Sequence, residues 1–68
     1  MEFELHGSDY IELNSLMKIA GMVGTGGEAN IHITGGEVLV NGQVETQKRK
    51  KIRSGDRVSF LDHSIVVK

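Results

Sequence analysis

Cysteine, proline and tryptophan are all absent from these 68 residues. Without cysteine there is no disulfide framework and no thiolate zinc site to supplement the core. A chain of this length is one domain, residues 1–68, and buries only about 60% of the surface its unfolded form exposes. The core therefore holds by packing, stability is expected to be modest, and a reducing compartment is compatible with the composition. Long apolar runs are missing too: none approaches the roughly 20 residues of a membrane span. The opening MEFELHGSDY carries acidic residues where a signal peptide carries basic ones. A soluble, cytoplasmic protein with no membrane partner is the expectation.

Chemistry for catalysis is equally scarce. His6, His32 and His63 do not share the spacing of metal ligands on one element, and no cysteine joins them, so no metal and no cofactor is assigned. The five serines have no nucleophile elbow or triad context, and no carboxylate pair is placed for acid–base work. So small a chain has little room for a walled substrate pocket. No enzymatic activity and no small-molecule substrate are expected. The loop GTGGEA lacks the Gly-Lys-Ser/Thr ending of a phosphate-cradling P-loop and does not follow a strand, and Glu28 would repel an anion there. Thr25 reads instead as a helix cap, although Gly26 and Gly27 leave backbone N–H groups sterically open to one phosphate.

What the sequence does have is a concentrated block of positive charge. The net charge is −1, yet residues 1–34 sum to −4 and residues 35–68 to +3. Lys48, Arg49, Lys50, Lys51 and Arg53 supply five of the eight basic side chains within six positions, with no acidic residue between them. Soluble surfaces usually intersperse the two signs, so an unbroken basic block points to phosphate. Only Phe3, Tyr10 and Phe60 are aromatic; Phe3 and Phe60 are wanted by the core, and no aromatic interleaves with the lysines along the chain. Stacking of splayed bases is therefore not expected, which leaves recognition of nucleic-acid backbone and shape.

Periodicity gives the order of elements: one strand, two helices, then four short strands. FELHG alternates as a first strand, and HGSD breaks it. Asp9 with Glu12 forms a capping pair ahead of a helix carrying Leu13, Leu16, Met17 and Ala20 on one face, and Gly21 closes it. MVGTGG turns the chain. Thr25 and Glu28 form a capping box that opens a second helix presenting Ala29, His32 and Ile33, despite the strand-like letters of Asn30 to Thr34. Asn41-Gly42 between EVLV and QVET signals a tight hairpin. A strict two-residue turn puts Val44 opposite Leu39, away from Val38 and Val40, unless a bulge intervenes. Arg53 to Asp56 is a turn, Val58 and Phe60 alternate, Asp62-His63 turns again, and Ile65 and Val67 end the chain as a strand.

The runs LNSLMKIAGMV, GGEANIHITGGEVLVNGQV and IRSGD resemble the alpha-L RNA-binding domain, the module named after ribosomal protein S-four, with its core motif at 11–56. The longer stretch EVLVNGQVETQKRKKIRSGDRVSFLDHSIVV is similar to the stand-alone bacterial proteins of the YbcJ type. This resemblance implies an α+β fold, two short helices packed on a small bent antiparallel sheet. It implies binding to structured RNA, often ribosomal or transfer RNA, free or within a ribonucleoprotein; the protein is expected to act as a monomer. Family contacts, carried over by position, fall on Gly26, Gly27 and Asn30 at the second helix and on Lys48, Arg49, Lys50 and Lys51. Many such domains carry arginine or lysine where this chain has Glu12, Gly26, Asn30 and Thr34, which shifts the electrostatic weight onto residues 48–53. The alternative is a protein-interaction adaptor whose basic segment meets an acidic partner. A sulfur-carrier-like domain is disfavoured by the ending Val-Val-Lys, which has no diglycine to load.

Overall fold

Nine elements follow one another in the computed structural model, which describes all residues 1–68. They are β1 (Glu2–Phe3), β2 (Ile11–Glu12), α1 (Leu13–Ile19), α2 (Gly26–Thr34), β3 (Val38–Val40), β4 (Gln43–Val44), β5 (Lys51–Ile52), β6 (Arg57–Phe60) and β7 (His63–Val67). Five strands form a sheet in the order β1-β7-β6-β3-β4, antiparallel except for the parallel pair β1–β7. A separate two-stranded antiparallel ribbon joins β2 to β5. No helix is long and apolar enough to cross a membrane.

Alternation along each strand decides what faces inward. Val38, Val40, Val58, Phe60, Ile65 and Val67 are buried, and they meet Leu13, Leu16 and Met17 of α1 and Ala29 and Ile33 of α2 in one core of 14 residues. The two helices thus cover one face of the sheet, as the α+β expectation has it. Ile52 enters the same core from the ribbon.

Both helices stop in the same way. Gly21 follows α1 with φ +78° and Gly36 follows α2 with φ +79°, a left-handed conformation that glycine adopts without strain. Gly21 N–H donates to the Lys18 carbonyl and Met22 N–H to that of Met17; Gly36 and Glu37 repeat the pattern on Ile33 and His32. These are the paired bonds of a Schellman stop, which satisfy carbonyls the helix leaves open. Met22 and Val23, read from the letters as turn residues, are buried in the core.

The α2 expectation holds: Thr25 Oγ1 accepts from Glu28 N–H at 3.1 Å. Glu28 Oε1 in turn accepts from Gly24 N–H at 2.8 Å, one residue earlier than in a regular capping box. His32 sits half-buried, its ring centroid 4.7 Å from that of Phe60. Asn41 (φ +53°) and Gly42 (φ +84°) make the tight hairpin turn. No bulge intervenes, and Val44 pairs with Leu39 and is exposed.

Four expectations are corrected. The first strand covers Glu2–Phe3 only, held by β7 rather than by its own length. The last turn is Leu61-Asp62, so His63 already belongs to β7. β2 and β5 were not foreseen, because two-residue strands have no periodicity of their own to read. The Asp9–Glu12 cap does not form: Glu12 is the N-cap residue of α1 with no side-chain hydrogen bond, and another segment takes over its role.

Candidate nucleic-acid interface

That other segment is the basic block. The N–H of Leu13 donates to the Lys50 carbonyl at 2.9 Å, and that of Asn14 to the Lys48 carbonyl at 3.1 Å. The first turn of an α-helix has no intrahelical acceptors for its N–H groups. Here the backbone of residues 48–50 supplies them, while the Asn14 side chain takes Ser15 N–H at 2.8 Å. The segment is shaped locally as well: Gln47 N–H reaches Glu45 Oε2 and Lys50 N–H reaches the Gln47 carbonyl. It is a fixed edge along the start of α1.

Beyond it the chain enters β5, where Ile52 pairs with Ile11 and Lys51 with Glu12. Ile52 is fully buried and Ile11 packs against the core, so the ribbon turns its other face outward. Continued by one residue, the register puts Tyr10 opposite Arg53, with Glu12 and Lys51 on the same outer face. Lys51 Nζ lies 5.0 Å and Arg53 Cζ 5.7 Å from the centroid of the Tyr10 ring.

Lys48, Arg49, Lys50, Lys51 and Arg53 are all exposed. None is within ion-pair distance of a carboxylate: the pairs in the structure are His32–Glu37 at 3.2 Å and Lys68–Glu2 at 2.9 Å. Asp56 lies nearest in role. Its Oδ2 accepts from Arg53 N–H at 2.8 Å and its Oδ1 from Asn41 Nδ2 at 2.9 Å. The backbone donor first and the Asn41 amide second hold its carboxyl below the usual carboxylate range, helped by the charges of Lys50 and Arg53. Asp56 thereby fixes the turn that follows the basic edge and leaves the basic side chains free.

The three helix residues fall into place differently. Asn30 is joined to the edge through a relay, because Asn14 Nδ2 donates to Asn30 Oδ1 at 3.0 Å and Asn14 N–H meets Lys48. Gly26 and Gly27 lie four and three residues before Asn30, on the same helical face and about 6 Å along the axis. A Cβ on Gly26 would meet nothing within 4 Å, and at the helix start its N–H has no intrahelical acceptor. Glu28, folded back to Gly24, leaves that helix start negative. The structure thus joins Asn30 to the basic edge and leaves Gly26 and Gly27 apart from it, beside the Glu28 carboxylate.

Two residues escaped the reading of the letters. Asn14 is a hinge between the helices and the edge, and Tyr10 places an aromatic ring among the cations, contrary to the expectation that none interleaves with them. A weak signal existed: Tyr10-Ile11-Glu12 and Lys51-Ile52-Arg53 each set one β-branched residue between two polar or amphipathic ones.

Fold and edge together define a small two-helix α+β module with a fixed, unneutralised basic rim. The chain belongs to the S4 domain family, which it matches over residues 3–68. It is similar to YbcJ of Escherichia coli (strain K12) and to YbcJ of Shigella flexneri, 45% identical to each over 65 residues, covering 96% of this chain and 93% of theirs. The solution structure of the Escherichia coli protein superposes with a TM-score of 0.75 at 44% identity, covering 97% of this chain and 84% of that one. That structure is described as revealing an AlfaL motif involved in RNA binding.

Proposed function

We propose that this protein is a non-catalytic module that binds structured RNA through its phosphate backbone, with residues 48–53 as the main contact. The observation that carries this reading is the row of five exposed cations with no carboxylate partner, held in place by backbone bonds to α1. Such a row displaces the cations condensed on the RNA phosphates, and their release drives binding. A rigid edge also matches a rigid phosphate spacing better than a flexible tail does, which favours a folded RNA over an extended strand. Asn30, Gly26 and Gly27 extend the footprint along α2 as neutral hydrogen-bonding groups.

The AlfaL motif described for the Escherichia coli relative supports RNA as the ligand class. The likeness to a domain named after a ribosomal protein favours ribosomal or transfer RNA as the target; we take the protein to be a monomer in the cytoplasm. Sequencing the RNA that co-purifies from its own cells tests the target. The binding mode is tested by titrating a stable RNA hairpin and an unstructured strand of equal length across salt. Four or five phosphate contacts give a slope of log affinity against log salt near −4 if RNA follows the duplex value of roughly 0.9 per contact. That amounts to roughly two orders of magnitude between about 50 and 200 mM salt. A slope near zero rejects phosphate contact, and tighter binding of the unstructured strand rejects shape recognition.

A further inference from the structure

Tyr10 occupies a position that packing does not explain. The residue is 40% exposed, it is not among the partly buried side chains that pack on the core, and its hydroxyl has no hydrogen-bond partner in the protein. A tyrosine retained for stability normally buries its ring and pairs its hydroxyl. What covers this one is charge: Lys51 and Arg53 hold their cations over the ring, 5.0 and 5.7 Å from its centroid, in exposed cation–π contacts. Lys51 faces Glu12 directly across the ribbon yet makes no ion pair with it.

We propose that Tyr10 is a stacking platform for one unpaired RNA base, so that the preferred ligand is a helix interrupted by an unstacked nucleotide. The proposal rests on the RNA-binding reading above and adds a base subsite to a backbone-reading edge. In a nucleotide the base lies one sugar away from its phosphate, a few ångströms, comparable to the spacing between the two cations and the ring. Lys51 and Arg53 lie over the ring; when they swing off it to engage a phosphate, the face they vacate is open to the base that the phosphate carries. A base inside a continuous duplex keeps its neighbours and offers no free face; a bulged one does, and aromatic side chains accept such bases with little regard to identity. The ribbon supplies one ring, hence one base.

The test uses two RNA duplexes of equal length, one fully paired and one carrying a single unpaired adenosine, at fixed low salt. Because Tyr10 is the one tyrosine and tryptophan is absent, tyrosine emission reports on this ring directly. The wild-type protein should bind the bulged duplex about tenfold more tightly, with quenching specific to that duplex. Tyr10→Phe should keep the preference. Tyr10→Leu, checked for its fold by circular dichroism, should lose the preference while keeping the affinity for the paired duplex and the salt slope. Equal wild-type affinity for the two duplexes, unaltered emission on binding the bulged one, or an equal loss on both in Tyr10→Leu would overturn the stacking site. Failure of the wild type to bind either duplex would instead overturn the RNA-binding reading.

Discussion

Asp56 shows how one carboxylate organises two turns. It ties the Arg53 backbone to the Asn41 side chain, and Asn41 Oδ1 accepts from Arg57 N–H at 2.9 Å, so the hairpin tip and the turn before β6 are locked to each other. The folded protein favours the charged form of Asp56, since both donors and the nearby cations depress its pKa. Its contribution is therefore full above the unfolded value of about 3.9 and disappears as pH falls through that value toward the lower folded one. Urea midpoints measured from pH 7 down to pH 3 should fall less steeply in Asp56→Asn than in the wild type. At pH 7, Asp56→Ala should cost about 1 kcal/mol, because two solvent-exposed donors lose a charged acceptor. Parallel acid limbs in wild type and Asp56→Asn would show that the carboxylate is not what the turns depend on.

Among the elements, α2 is the one whose existence depends most on a single side chain. Its sequence from Asn30 to Thr34 favours a strand, two glycines open it, and nine residues are too few for a helix to persist on propensity. The Thr25 cap and the burial of Ala29 and Ile33 outweigh those preferences. Thr25→Ala should destabilise the protein by about 1 kcal/mol, with Thr25→Ser restoring most of it, as read by chemical denaturation. Two equal midpoints would remove the cap from the account. This element was legible beforehand because its signals, Thr25 and Glu28, are local. The Asn41-Gly42 hairpin was legible for the same reason. The start of α1 was not, since its acceptors come from Lys48 and Lys50, more than thirty residues away. The ribbon of β2 and β5 shares that opacity: two residues on each side acquire strand character only when they meet. Of the candidate site, the cations were plain in the letters, whereas their anchoring and the approach of Tyr10 depended on that meeting.

For the whole molecule, the proposed function assigns fold and binding to different parts of the same segment. The backbone of residues 48–50 caps α1, while the side chains point to solvent without partners. Changing Lys48, Arg49, Lys50 and Lys51 together to alanine should leave the caps in place and shift stability within about 0.5 kcal/mol per residue, while RNA affinity falls by orders of magnitude. A variant that unfolds, or one that binds undiminished, would contradict this division. The same anchoring has a consequence for the segment taken out of its setting. A synthetic peptide of residues 44–56 would carry every positive charge of the edge and none of its shape. It should adhere to any polyanion, heparin or single-stranded RNA as readily as to a hairpin, because nothing spaces its lysines to a phosphate rail. The intact domain, competed against that peptide, should keep its hold on the folded RNA and lose the unstructured strand first. On the proposed function, selectivity would be a property lent to a charged loop by a helix it caps.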